Sequence, residues 1–209
     1  MLNVFARAGV NRVTDPIGRR LVALGVTPDV VTVVGTIGSV AAALWFLPRG
    51  ELVVGPWIIT LFVLFDLVDG AMARARGYST AFGGVLDSVC DRVADGALFA
   101  GLAWWCLGVG QERTLGIAAL ICLVAGQITS YVKARAEAAG LRADGGLVER
   151  AERLIITLLG TFLQGVGVPY ALSVALWLLA ALSIVTVGQR VVAVHRSAQE
   201  VDRAERQGS

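Results

Sequence analysis

Six apolar runs, at roughly residues 29–47, 53–73, 84–108, 114–134, 152–168 and 170–192, take up most of this chain of 209 residues. A helix needs about 20 mostly apolar residues to cross the hydrocarbon of a bilayer, and the runs are close to that length. No alternation of apolar and polar residues at period two competes with them. The expectation is therefore an all-α fold, an integral membrane bundle of six transmembrane helices. Only 16% of the residues are charged, against about 25% in an ordinary soluble domain, too few to clothe six such runs in water.

The charges that remain fall unevenly. Arg7, Arg12, Arg19 and Arg20, then Arg74 and Arg76, then Lys133, Arg135, Arg142, Arg150 and Arg153, then Arg190, Arg196, Arg203 and Arg206 all flank one side of the expected bundle. Arg49 and Arg113 are the only basic residues on the other side, and Arg92 lies within the third run. Basic residues accumulate on the cytoplasmic side, so both termini and the loops near 74–84 and 133–153 are expected there, in the plasma membrane.

Ahead of the first run, Leu2, Phe5, Val10, Val13, Ile17, Leu21 and Leu24 recur near helical spacing with arginines between them. That suits an amphipathic helix on a membrane surface, broken near Thr14-Asp15-Pro16. Thr27-Pro28 then reads as an N-cap followed by proline at the first helical position. The organisation expected is a juxtamembrane segment over 1–26, a six-helix transmembrane domain over 27–195 and a polar, solvated tail over 196–209.

Several functions are disfavoured by composition. A net charge of +2 gives no bulk attraction to nucleic acid. The three cysteines, Cys90, Cys106 and Cys122, form no C-x-x-C pair, and His195 is the single histidine, so neither a disulfide framework nor a Cys/His metal site is expected. Glycine is frequent, 25 residues, as expected where small residues let membrane helices approach closely.

Against this oily background, residues 66–91 read DLVDGAMARARGYSTAFGGVLDSVCD. A carboxylate near hydrocarbon costs several kcal/mol unless something holds it. Asp66 and Asp69 are spaced i,i+3 at the end of the second run, and Asp87 and Asp91 i,i+4 at the start of the third. Each pair thus shares a helix face, and an antiparallel hairpin would set all four at one level. Two such faces turned together make a cage of oxygen ligands, which favours hard divalent cations, magnesium or manganese, over zinc. Arginines such as Arg74, Arg76 and Arg92 offer the plainer alternative of salt bridges. Asp95, one turn deeper, is expected to serve packing or hydrogen bonding. Gly70 and Gly83-Gly84 leave room for a bulky ligand, Arg74 offers a guanidinium suited to a diphosphate, and Thr80 a loop hydroxyl.

The stretch resembles the CDP-alcohol phosphotransferase signature, D-x2-D-G-x2-A-R-x8-G-x3-D-x3-D. It matches at every fixed position: Asp66, Asp69, Gly70, Ala73, Arg74, Gly83, Asp87 and Asp91. Length and span plan agree, so the resemblance covers nearly the whole chain. It implies an enzyme that moves a phosphatidyl group from CDP-diacylglycerol to an alcohol and releases CMP. By the same resemblance Asp66, Asp69, Asp87 and Asp91 bind two metal ions, Mg2+ or Mn2+, and Asp91 is also the general base. Asp29, Val30, Val31, Thr32, Gly70, Arg74 and Thr80 fall where the family contacts the CDP-lipid, and a homodimer is implied.

Lys133, Arg135, Arg150 and Arg153 cluster at one face and suit an acceptor that is itself a phosphate ester. The chain is most similar to the actinobacterial branch that uses inositol 1-phosphate, with glycerol 3-phosphate the alternative acceptor. Two other classes compete. A divalent-cation transporter would place its acids near the bilayer midplane on broken helices, and a prenyltransferase-like enzyme would carry its aspartate-rich motifs on distant helices. Here both pairs belong to one hairpin.

Overall fold

The computed structural model describes residues 14–78 and 80–208. A helical stretch at 14–23 leads into seven α-helices: α1 (Pro28–Phe46), α2 (Val54–Val63), α3 (Phe65–Arg76), α4 (Ala81–Leu107), α5 (Arg113–Ala138), α6 (Arg150–Gly165) and α7 (Ala171–Gly208). A short 3-10 turn, Leu47–Arg49, follows α1, and no strand occurs among the described residues. The all-α expectation holds.

Four helical stretches are long and apolar enough to cross a bilayer: Pro28–Arg49, Val54–Arg76, Arg113–Ala138 and Ala171–Arg203. The second joins α2 and α3 across a break at Leu64. The other two expected spans are helices as well, but α4 carries the charged Asp87, Asp91, Arg92 and Asp95, and α6 has only 16 residues.

α4 is central, packing against α1 on one side and α5 on the other; α5 meets α7, and α7 meets α6. The contacts are close because small residues line them. A Cβ on Gly101 of α4 would lie 2.6 Å from the Ala43 carbonyl oxygen of α1, so backbone there touches backbone. Phe99, Leu98, Leu102 and Cys106 of α4 fill the core with Leu47, Cys122 and Leu176. All three cysteines are buried and free.

Both ends of the chain are helical over the described residues. The apolar positions at Leu2, Phe5, Val10 and Val13 lie outside the described residues. From Thr14 on, the juxtamembrane helix docks on α3: a Cβ on Gly18 would meet the backbone of Ala71 and Met72 at 3.0–3.1 Å. Gly25, at φ +80°, ends it, and Thr27 caps α1 through the Val30 amide. At the other end residues 196–208 continue α7 as helix. Their polar face is in use, since Ser197 accepts from the Arg142 amide at 3.0 Å and Glu200 pairs with Arg142 at 2.7 Å.

Candidate active site

The α3–α4 hairpin follows from its local sequence. Gly77, at φ +77°, ends α3 in the left-handed conformation that glycine takes without a Cβ penalty. Thr80 then caps α4, its hydroxyl accepting from the Gly83 amide at 2.9 Å. α4 thus begins three residues before the expected 84, and the Thr80 hydroxyl is engaged by its own helix. The turn brings Asp66 and Asp69 beside Asp87 and Asp91, within range for Asp66 to act electrostatically on the other three.

Asp69 is the most buried of the four, 8% exposed, and accepts a hydrogen bond from the Thr32 hydroxyl of α1. Asp87 is exposed, and Asp66 and Asp91 are half-buried. Arg150, the first residue of α6, lies between the pairs. Its Nη1 is 2.8 Å from Asp66 Oδ2 and 2.8 Å from Asp91 Oδ1, and its Nε is 3.3 Å from Asp95 Oδ1. The Asp66 and Asp91 carboxylates therefore stand within two hydrogen-bond lengths of each other.

Asp95 has the structural part expected of it. Buried at 4% exposure, it also takes Arg153 at 3.2 Å and Arg92 at 3.5 Å. Arg92 reaches Asp91 at 3.8 Å and donates to the Ser130 hydroxyl. Arg74 and Arg76 turn elsewhere: Arg74 pairs with Asp15 at 3.2 Å, and Arg76 donates to the Val26 carbonyl at 2.9 Å. The salt-bridge alternative is thus met in part, by Arg92 and by the more distant Arg150.

As the side chains lie, no group of three acidic, histidine or cysteine side chains among the described residues converges on one ion position; Arg150 spans the gap between Asp66 and Asp91. The donor chemistry nonetheless fits a hard divalent cation. The candidate donors are carboxylate oxygens from two facing helices, and five aspartates face three arginines, a surplus of negative charge.

Beside the cage the structure gathers Asp29, Thr80 and Gly83. A Cβ on Gly83 would lie 2.9 Å from Thr80 Oγ1 and 3.2 Å from Asp29 Oδ1, so only glycine fits comfortably between them. Val30 is exposed and Val31 half-exposed on the first turn of α1. Gly70 sits one turn before Arg74, and a Cβ there would meet only Arg74 Nη1, at 3.6 Å.

The four basic residues read as an acceptor cluster divide into two groups. Arg150 and Arg153 join the aspartates, Arg153 being 3% exposed with its Nε unpartnered. Lys133 is exposed and paired with Glu137 at 3.9 Å, and Arg135 is exposed on the same end of α5. Arg190 is a residue whose part goes beyond its sequence reading as flanking charge. It is buried, with Nε 3.1 Å from the Gly145 carbonyl and Nη1 3.1 Å from that of Thr129, and so straps the 139–149 loop to α5 and α7. Its position at the end of an apolar run was the available signal.

Comparison with known proteins adds to this geometry. The family model for CDP-alcohol phosphatidyltransferase matches residues 25–195. Phosphatidylinositol phosphate synthase of Mycobacterium tuberculosis H37Rv is 53% identical over 205 residues, covering 97% of this chain and 94% of its own. The enzyme of the same name from Streptomyces avermitilis is 49% identical over 211 residues, 98% of this chain and 86% of its own. A crystal structure of the M. tuberculosis synthase with CDP-DAG bound matches with TM-score 0.85 at 54% identity, covering 88% of this chain and 94% of that one. A second, in complex with manganese and citrate, matches with the same TM-score and identity, covering 88% and 90%.

Proposed function

The chain belongs to the CDP-alcohol phosphatidyltransferase family, and on that premise we propose that it moves the phosphatidyl group of CDP-diacylglycerol to a hydroxyl of inositol 1-phosphate, giving phosphatidylinositol phosphate and CMP. The observation that carries this reading is the convergence of Asp66 and Asp91 on one guanidinium, which sets the two aspartate pairs of the signature face to face. The relatives' name and their CDP-DAG complex support the substrates.

Asp66, Asp69, Asp87 and Asp91 are the residues that would hold two divalent cations, magnesium or manganese. Bound there, the cations would offset charge on the diphosphate and on the departing CMP oxygen. Thr32 holds Asp69 in place. Asp29, Val30, Val31, Gly70, Arg74 and Thr80 border the position of the nucleotide diphosphate. Asp91 takes the proton of the acceptor hydroxyl as its oxygen attacks the phosphatidyl phosphorus. The bond from that phosphorus to CMP breaks in line, without a covalent enzyme intermediate. Arg153, with a free buried Nε, and the more exposed Lys133 and Arg135 supply positive charge for the acceptor phosphate, with Arg150 close by.

In the same reading α4 and α6 complete six spans. At 1.5 Å per residue the 16 residues of α6 cover about 24 Å, short but compatible with locally thinned hydrocarbon. The excess of basic residues supports a cytoplasmic position for the hairpin turn, the 139–149 loop and both termini. A homodimer in the plasma membrane completes the proposal. Release of CMP from CDP-diacylglycerol by purified protein, with and without Mg2+, tests it; no release with either inositol 1-phosphate or glycerol 3-phosphate would overturn it.

A further inference from the structure

Arg150 sits where the chemistry of the cage would not call for an arginine. The carboxylates it bridges, Asp66 and Asp91, are two of the four ligands that the proposed reaction needs. Its Nη1 donates a hydrogen bond to Asp66 Oδ2 and forms an ion pair with Asp91 Oδ1, both at 2.8 Å. The third contact is different in kind. Nε points at Asp95, which is deeper, buried, and shared with Arg92 and Arg153.

The backbone that presents Arg150 is held firmly. Glu149 and Glu152 form a reciprocal capping box at the start of α6, with the Glu149 amide 3.1 Å from the Glu152 carboxylate. Just before it, the buried Val148 amide donates to Thr186 of α7 at 3.2 Å, and Arg190 grips the Gly145 carbonyl. Arg150 is therefore delivered to the cage by a fixed helix end.

We propose that Arg150 is the built-in counter-cation of the aspartate cage and competes with divalent metal for Asp66 and Asp91. The oxygens it engages, Asp66 Oδ2 and Asp91 Oδ1, come from the two helices of the hairpin and are oxygens that a shared ion would need. A guanidinium brings one charge and directional hydrogen bonds; a divalent ion brings two charges and draws ligands closer than hydrogen-bond distance. The two cations compete for the same carboxylate oxygens. Entry of the ion displaces Nη1, while the Nε–Asp95 pair keeps Arg150 tethered nearby. Arg150 thus prevents the unneutralised carboxylates from splaying apart, at the cost of weaker metal binding. It is a positioning residue, acting through the ligands.

This inference rests on the proposed metal-binding role of the four aspartates, and the experiment separates the two. Mn2+ binding to the full-length purified protein is measured by titration calorimetry for the native chain, Arg150→Gln, Arg150→Lys and Asp66→Asn. Arg150→Gln should bind Mn2+ at least tenfold more tightly than the native chain and melt at a lower temperature in EDTA; Arg150→Lys should fall between. In parallel, phenylglyoxal labelling of the native chain, read by mass spectrometry, should modify Arg150 several-fold faster with saturating Mn2+ than in EDTA. This second measurement needs no variant to fold. Unchanged or weaker Mn2+ binding in Arg150→Gln, or labelling that Mn2+ leaves unchanged or slows, overturns the counter-cation role even when Asp66→Asn shows the site to be real. Native and Asp66→Asn chains that bind Mn2+ alike would overturn the metal reading, and the inference with it.

Discussion

The hydroxyl of Thr32 on α1 donates a hydrogen bond to the Asp69 carboxylate on α3, and both groups are buried. Thirty-seven residues apart in sequence, they tie the first membrane helix to the most buried of the four signature aspartates. A carboxylate so placed needs a donor to keep its orientation, and changes in such outer partners of metal ligands typically lower affinity or activity by about 10–100-fold. Thr32→Val should cause a loss in that range in both Mn2+ affinity and turnover, and Thr32→Ser should restore most of it. A native-like Thr32→Val beside an impaired Thr32→Ser would show that the methyl group, and not the hydrogen bond, is what matters.

Asp91 lies 2.8 Å from Arg150 and 3.8 Å from Arg92, and it is assigned two duties, ligand and base. Asp91→Asn should lower turnover by at least the ~10²–10⁴-fold expected of a general base, while CDP-diacylglycerol binding, followed by calorimetry, stays largely intact. Loss of monodisperse protein on gel filtration would instead point to a structural role.

Asp95 belongs to the framework. Three guanidiniums, those of Arg92, Arg150 and Arg153, lie within 3.5 Å of it. Asp95→Asn leaves three cations with a neutral partner, and removing one member of a buried ion pair costs about 3–5 kcal/mol. The variant should show the largest drop in melting temperature of the site aspartates when thermal unfolding is followed by tryptophan fluorescence in detergent.

The α1–α4 crossing admits no side chain at Gly101, where a Cβ would come within 2.6 Å of the Ala43 carbonyl oxygen. Forcing extra carbons into a packed core costs roughly 1–3 kcal/mol, and here the obstacle is backbone. Gly101→Leu should push α1 from α4, lowering the melting temperature and, through Thr32 and Asp29, weakening CDP-lipid binding. Gly188→Leu on α7, where a Cβ meets nothing within 4 Å, is the control expected to behave like the native chain.

These features were not equally legible in the sequence. The helices could be read because each apolar run must satisfy its own backbone, and the carboxylate pairs because i,i+3 and i,i+4 spacings leave one face for each. The partners of those carboxylates were hidden. Arg150 is 84 residues from Asp66, and an arginine flanking an apolar run reads equally well as a topology marker. Thr32 falls on a stretch read as nucleotide-contacting, while its hydroxyl points at Asp69. The polar composition from Arg196 onward reads as a solvated tail and does not announce that α7 continues through it. Yet no proline interrupts it, its Ala, Glu and Arg residues favour helix, and Ser197 and Glu200 hold the loop that delivers Arg150.

The central claim is phosphatidyl transfer to a phosphorylated inositol, and product identity tests it most directly. Purified protein in detergent, given CDP-diacylglycerol, Mg2+ and equal concentrations of inositol 1-phosphate and glycerol 3-phosphate, is followed by mass spectrometry of the lipid extract. The proposed chemistry predicts phosphatidylinositol phosphate as the dominant product, equimolar CMP, and no lipid product in EDTA. Phosphatidylglycerophosphate as the dominant product would contradict the acceptor, and CMP-free conversion or full activity in EDTA would contradict the mechanism.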